Sequence, residues 1–151
     1  MLFTTHLVAA AIVGFRSRFA PAWLVAGAAL PDLIDKPLAT VGLVDTFHSV
    51  GHSALVLLLL LPLVRASPRL LAVAIGWGSH LLLDAFHIVI NGRADDALFL
   101  FWPVLRPATP LGIPPGDFFW YYLWSPSFFV EILIWLGFGW LALPRLRERL
   151  G

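Results

Sequence analysis

The residues of this chain that could perform chemistry are imidazoles and carboxylates, because the sequence contains no cysteine. His48 and His52 are four residues apart, His80 and Asp84 repeat that spacing, and His87 follows three residues later. Residues three or four apart are neighbours on a helical face, so each set could present its groups to one ligand. Imidazole and carboxylate together suit zinc, iron or manganese. A bound divalent ion would generate a hydroxide nucleophile near neutral pH, and two ions could clamp a phosphoester, so the pattern favours a hydrolytic metal site.

The segments that must position these groups are apolar enough for a membrane. Hydrophobic residues make up 60% of the 151-residue chain and charged residues 13%, against about 45–50% and about 25% in soluble domains. Leu70–Ile90 is long enough to cross a hydrocarbon core, which takes about 20 residues, whereas the first three segments would need tilting, burial or a re-entrant path. We therefore predict an all-α integral membrane bundle of four to five short transmembrane helices, a single domain over residues 1–151 in contact with the lipid bilayer. The apolar segments are Leu2–Phe15, Phe19–Ile34, Val50–Val64, Leu70–Ile90 and Phe128–Leu143.

The segment Asn91–Ser125 differs in composition and is rich in proline and aromatic residues. Proline breaks helices, and Trp and Tyr favour the membrane–water interface. We predict a loop or short half-helices at one membrane surface, where they could act as a lid. Ser125 and Pro126 have the pattern of an N-cap followed by proline at the first position of the last helix. The prolines of the segment are Pro103, Pro107, Pro110, Pro114 and Pro115.

The distribution of arginine predicts the orientation, because cytoplasmic loops carry the excess of positive charge. The net charge is only +1, so charge indicates no nucleic-acid partner. Alternating the helices from a cytoplasmic C-terminus places most basic residues inside, namely Arg16, Arg18, Arg65, Arg69, Arg145, Arg147 and Arg149. The same alternation places every candidate chemical group in the outer leaflet of a multi-pass protein of the inner (cytoplasmic) membrane. Those groups are His6, Asp32, Asp35, His48, His52, His80, Asp84, His87 and Glu131.

Each of these groups also has a plainer interpretation. His87 could hydrogen-bond a neighbouring helix, and His6 could be structural. Asp35 could pair with Lys36 at the surface, and Glu131 could favour the positive end of its helix dipole. Ionisable groups at membrane depth cost roughly 2.5–3.5 kcal/mol, so they usually face an interior, a partner or a cavity. Their coincidence in one leaflet favours a shared cation over a set of independent structural roles.

The same residues carry a resemblance to a known family. In the order and spacing of its motifs, the chain resembles the YdjM-like family of membrane-bound metal-dependent hydrolases over residues 1–105. Asp35 stands one residue farther from Asp32 than in that family's Pro-Asp-x-Asp arrangement. His48 stands one residue nearer to His52, and the family's Arg between them is missing. The motifs are His6, Leu30–Asp35, His48–Ser53, Gly78–Asp84 and Phe101–Pro103, the last of which looks like the family's Leu-Trp-Pro segment.

The resemblance and the residues together imply a metal-dependent hydrolase with a site open toward the outer leaflet. One or two divalent ions are expected, with zinc preferred and manganese or iron as alternatives. The expected substrate is a lipid or other amphiphile, cleaved at an ester or phosphoester. For catalysis we expect Glu131 as a further ligand or the general base, and His87 as an acid or as the partner of a ligand. The expected metal ligands are His6, Asp32, His52, His80 and Asp84, followed by Asp35 and His48.

Two other functions fit parts of the pattern. An intramembrane metal-binding or transport protein without hydrolytic activity could use the same ligands. Ala54–Val64 and Leu70–Gly78 carry no ionisable group, which disfavours a continuous ion pathway to the inner side. A structural or assembly protein would use its polar residues only to join helices, and it would hold no stoichiometric metal. The oligomeric state is left open.

Overall fold

The computed structural model describes residues 1–64, 67–107, 113 and 115–150, and these residues form helices and no strand. This confirms the all-α prediction. The predictions for Arg65, on the inner side, and for Pro110 and Pro114, in the proline-rich segment, concern residues outside the described ones. The helices are α1 (Phe3–Arg16), α2 (Pro21–Thr40), α3 (Ala54–Val64), α4 (Pro68–Ile90), a 3₁₀ helix (Ala94–Phe101), α5 (Pro115–Tyr122) and α6 (Pro126–Leu150).

Proline begins three of the long helices, where its fixed φ angle suits the first turn and its missing N–H leaves no bond unmade. The helices α2, α4 and α6 begin at Pro21, Pro68 and Pro126. At the start of α6, the backbone N–H of Phe128 donates to the hydroxyl of Ser125 at 3.3 Å. The N-cap predicted at Ser125 is therefore present.

The helices α2 and α4 cross with their backbones in contact. A Cβ atom at Gly27 would lie 1.9 Å from the carbonyl oxygen of Val73, and one at Gly76 would lie 2.0 Å from that of Leu24. Small residues allow such a close approach between helices, and the resulting contact fixes one helix against the other. The fully buried Leu24 and Ala28 lie in the core that this crossing forms with α1.

Replacing Gly76 with Ala should therefore lower stability, because the new Cβ would meet backbone that cannot rotate away. We expect a cost of about 1–3 kcal/mol, measured as a lower midpoint of thermal unfolding in mild detergent. Gly78→Ala on the same helix is the matched control, because its Cβ would lie 3.6 Å from the nearest atom, Leu57 Cδ2. Equal midpoints for the two variants would contradict the close crossing.

Two helices are candidate membrane spans by length and composition. Pro68–Ile90 and Pro126–Glu148 each have 23 residues, with mean hydropathies of 1.5 and 1.7. Large apolar side chains also face outward, with Leu59 78% exposed, Leu136 66% and Trp140 79%. The other apolar helices, α1 and α3, are shorter than a hydrocarbon core requires.

The bundle has two chemically different ends. At one end, Arg145 of α6 donates a hydrogen bond to the Phe15 carbonyl of α1 at 3.2 Å, and Arg69 of α4 lies over the ring of Trp23 in α2. At the other end, the N–H of Leu2 donates to the carboxylate of Glu131 at the start of α6. Arg69 and Arg145 therefore lie at the end where α1 finishes, opposite the end where it begins.

Of two predicted segments, one differs from the structure and the other agrees with it. The helix predicted from Val50 begins only at Ala54, and residues 41–53 form an irregular connection. The interpretation of His48 and His52 as neighbours on one helical face is therefore wrong. The segment Asn91–Ser125 contains the 3₁₀ helix and α5, which agrees with the prediction of a loop with short helices.

Candidate metal centre

Side chains from α1, α2, the irregular connection and α4 converge at the end of the bundle where α1 begins. Each converging residue offers a nitrogen or oxygen that lies within 4.8 Å of the others in its group. Helices α1 and α4 contribute His6, His80 and Asp84, α2 contributes Asp32, and the connection contributes His48 and His52. All of these except His48 are buried. The three groups are His6 with His80 and Asp84, Asp32 with His52 and His80, and His48 with His52 and Asp84.

The imidazoles of His52 and His80 are oriented so that their free nitrogens meet. Nδ1 of His80 lies 2.7 Å from the Ala28 carbonyl oxygen, and Nδ1 of His52 lies 2.8 Å from an Asp35 oxygen. Both partners only accept hydrogen bonds, so both Nδ1 atoms carry hydrogen and a neutral ring leaves its lone pair on Nε2. The two Nε2 atoms are 3.2 Å apart. Two lone pairs at this distance repel each other unless a proton or a metal ion lies between them.

Asp84 is the carboxylate at the centre of the cluster. Its Oδ1 lies 3.1 Å from Nε2 of His6, and its Oδ2 lies 3.2 Å from Nε2 of His80. The same Oδ2 is 3.5 Å from Nε2 of His52 and 3.6 Å from Nε2 of His48. One carboxylate thus connects all four imidazoles that sequence analysis assigned to a metal. The backbone nitrogen of Met1 also lies 3.1 Å from Oδ1.

Asp32 divides its two oxygens between the cluster and a lysine. Its Oδ1 lies 3.6 Å from Nε2 of His52, whereas its Oδ2 accepts a hydrogen bond from Lys36 at 2.8 Å. Lys36 is one turn further along α2, so the pair has the (i, i+4) spacing that stabilises helices. Lys36 therefore pairs with Asp32 and not with Asp35, which was the alternative prediction for a surface pair.

Asp35 lies behind His52 and not among the converging atoms. Its carboxylate is fully buried and accepts from the backbone N–H groups of Ser49, Gly51 and His52, from the Ser49 hydroxyl and from Nδ1 of His52. These five hydrogen bonds occupy both oxygens, so the expected role of Asp35 as a metal ligand does not agree with the geometry. They also hold residues 49–52 out of a helix. Asp35 therefore orients His52, in the way that carboxylates behind metal-binding histidines commonly do.

The carboxylates around His52 attract positive charge to the point where the imidazoles meet. Burial disfavours a charged ring, but hydrogen bonds with Asp32, Asp35 and Asp84 outweigh this and raise the pKa of His52 to about 10. A proton on His52 and a cation at the cluster are therefore alternative ways of neutralising the same carboxylates. These buried groups could hold a metal ion.

Glu131 is positioned for a structural task. Its Oε1 accepts from the backbone N–H of Leu2 at 2.6 Å, and its Oε2 accepts from the Thr5 hydroxyl at 2.9 Å. The carboxylate therefore lies at the N-terminus of α1, where a negative charge is favoured by the helix dipole and by unpaired N–H groups. Glu131 belongs to none of the metal-binding groups among the described residues. Its expected role as ligand or general base is not supported by this position, and the favourable dipole is that of α1 and not of its own helix.

A cavity of about 270 Å³ opens beside the cluster and gives a ligand access to it. Asp32, His48 and Asp84 line this cavity, and so does His87, which is 3% exposed and stacks on the ring of Tyr122. His87 therefore lies near the candidate ligands, as its spacing of three residues from Asp84 predicts. Arg93 also lines the cavity and is not among the site residues predicted from the sequence.

Comparison of the chain with protein-family models, with curated proteins and with solved structures gives no significant match.

Proposed function

We propose that this protein is a membrane-bound metal-dependent hydrolase. The observation that supports it is the meeting of the His52 and His80 Nε2 atoms at 3.2 Å, with Asp84 beside both. Ligand atoms about 2.0–2.1 Å from one tetrahedral zinc ion are about 3.3 Å apart. The imidazoles are therefore already at the spacing that a shared ion requires, and acceptors behind both rings hold them there.

The donor set fits zinc best, with manganese or iron as alternatives. Imidazole nitrogen suits zinc and iron, and the carboxylates also suit manganese. The proposed ligands are His6, Asp32, His48, His52, His80 and Asp84, which are sufficient for one or two ions because His52, His80 and Asp84 each belong to two groups. When bound, a divalent ion acidifies water and polarises the bond that is to be cleaved.

The proposed reaction is hydrolysis of an ester or phosphoester. The oxygen of water bonds to the carbonyl carbon or phosphorus, the bond to the leaving oxygen breaks, and the leaving oxygen takes a proton. Asp32 and Asp84 are the cluster carboxylates that line the cavity, and one of them accepts the proton from the attacking water. His87 lines the same cavity and is proposed to hydrogen-bond the leaving oxygen, which takes its proton from water.

We place the protein in the inner membrane, with its arginine end and C-terminus in the cytoplasm. The two candidate spans and the outward leucines and tryptophans support the membrane location. The arginines at one end support the orientation through the positive-inside rule. The metal centre lies at the opposite end, so its cavity would open in the outer leaflet, where a lipid or other amphiphile has access.

Metal analysis and a hydrolysis assay of the purified chain in mild detergent test the proposal. We expect stoichiometric zinc, and we expect release of dodecanol from dodecyl phosphate or dodecyl acetate. Prolonged chelation should abolish the release, and added zinc should restore it. Stoichiometric metal without hydrolysis of either compound would instead support the metal-binding or transport alternative. Absence of stoichiometric metal would support a purely structural role and contradict the proposal.

A further inference from the structure

The cavity beside the metal centre carries two cationic side chains in addition to the proposed ligands. Lys36 reaches it from α2, and Arg93 reaches it from the turn between α4 and the 3₁₀ helix. Fixed positive charge in a substrate cavity raises the local concentration of anionic substrates. The two cations therefore favour a substrate with negative charge.

Arg93 is held in place but keeps hydrogen-bonding capacity. Its Nη1 donates to Asp96 at 3.0 Å, which anchors the guanidinium from one side, and the side chain is 21% exposed. Its Nε–H is buried and has no hydrogen-bond partner among the residues that the structure describes. Leaving a buried donor without a partner is costly. The Arg93 side chain lines the cavity, and guanidinium groups match phosphate geometry well.

Lys36 places the second positive charge next to a proposed metal ligand. Its ammonium group lies 2.8 Å from Oδ2 of Asp32 and 5.5 Å from the centre of the Phe3 ring. An ammonium group carries three donors, so the contact with Asp32 leaves others for a ligand. The side chain is 38% exposed, and it lines the cavity.

The balance of charge favours an anion once a cation is bound. The cavity lining contains three carboxylates, and three cationic groups balance them: Asp32, Asp84 and Asp96 against Lys36, Arg93 and the ammonium group of Met1. One divalent ion gives the cavity a net positive charge, and a second ion increases it. A phosphate group would restore neutrality, whereas a neutral ester would not.

The rest of the cavity wall is apolar. Phe47, Ile88, Phe99, Pro107 and Ile113 line it beside the ionic groups. Phe99 is 1% exposed and packs edge-on against the His52 ring. A ligand with a charged head and a hydrocarbon chain would match both parts of the wall.

We infer that the substrate is an anionic phosphoester amphiphile, whose phosphate is bound by Arg93 and Lys36 and whose hydrocarbon chain lies along the apolar wall. This inference rests on the proposed function, since it assigns the substrate class of the same site. Arg93 would act by contact with phosphate oxygens and would not contribute to holding the metal.

The test compares dodecyl phosphate with dodecyl acetate on the wild-type protein and on Arg93→Gln. We expect the wild type to prefer the phosphate. In Arg93→Gln, kcat/KM for dodecyl phosphate should fall about 10- to 100-fold, because a hydrogen bond to a charged group is lost. Metal content should not change, and kcat/KM for dodecyl acetate should fall by a clearly smaller factor than kcat/KM for dodecyl phosphate. Arg69→Gln is the matched control, because Arg69 lies over Trp23 at the opposite end of the bundle.

Two measurements separate this inference from the proposed function. Binding of dodecyl phosphate can be followed by calorimetry whether or not it is cleaved, and it should weaken in Arg93→Gln and recover in part in Arg93→Lys. If the wild type holds metal, binds dodecyl phosphate through Arg93 and cleaves neither compound, the hydrolase proposal fails and the anion site stands. A wild type that prefers dodecyl acetate, or an Arg93→Gln variant with unchanged phosphate binding, would overturn the inference.

Discussion

Asp84→Asn is expected to remove the metal and abolish hydrolysis. The substitution keeps the shape of the side chain but replaces the central carboxylate, which lies within 3.6 Å of four imidazole Nε2 atoms. Without its charge, a divalent ion loses an anionic ligand that two of the three groups share. We expect metal affinity to fall more than about 100-fold, beyond the 10- to 100-fold loss typical for partners behind the ligands. Elemental analysis after desalting measures the effect directly.

Asp45→Asn provides the control for Asp84→Asn. Asp45 is exposed in the irregular connection and belongs to none of the metal-binding groups found among the described residues. Its variant should keep full metal content and full activity. Combining Asp84→Asn with His80→Ala should give no further metal loss, because the site is already empty. Full metal occupancy in this double variant would rule out the ligand assignment.

Asp35→Asn is expected to destabilise the protein and weaken metal binding without abolishing it. The Asp35 carboxylate accepts five hydrogen bonds from three nearby residues. The NH2 group of an asparagine at this position would face some of these donors and could not accept from them. Removing one partner of a buried charged network costs about 3–5 kcal/mol. We expect a large fall in the midpoint of thermal unfolding in detergent. Zinc affinity should fall about 10- to 100-fold, because His52 loses the partner that orients it.

Ser49→Ala provides a graded comparison for Asp35→Asn. It removes only the hydroxyl bond to Asp35 and leaves the backbone N–H of residue 49 in place. Its effect on the unfolding midpoint should therefore be clearly smaller. Excess zinc should refill the site of Asp35→Asn, whereas it should not refill that of Asp84→Asn. If zinc failed to bind Asp35→Asn at any concentration while the variant stayed folded, Asp35 would have to be a ligand.

Much of the candidate site could be predicted because helix order and charge are properties of the sequence. Once consecutive helices alternate in direction, His6 near the start of α1 and His80 and Asp84 late in α4 must lie toward the same end. The arginines mark the other end, and the structure has Arg145 and Arg69 there. The apolar composition likewise predicts helices whose leucines face outward. The grouping of the imidazoles with Asp84 follows from this arrangement, so the sequence alone predicts it.

Which carboxylates face the candidate metal centre and which have structural contacts was decided only by the tertiary structure. Asp32 and Asp35 are both acids on α2, but only Asp35 accepts from the N–H groups of residues 14 to 17 positions later, so its oxygens are not among the converging atoms of the candidate metal centre. Glu131 has the chemistry of a general base, yet it is held at the start of α1 by contacts with residues more than a hundred positions away. The spacing of His48 and His52 predicted a helix, but hydrogen bonds from the distant Asp35 hold this segment in an irregular conformation. The sequence by itself determined which groups share an end of the bundle. Hydrogen bonds between distant segments decided which of these groups face the cavity. Such bonds depend on distances of a few ångströms, and no local sequence pattern contains those distances.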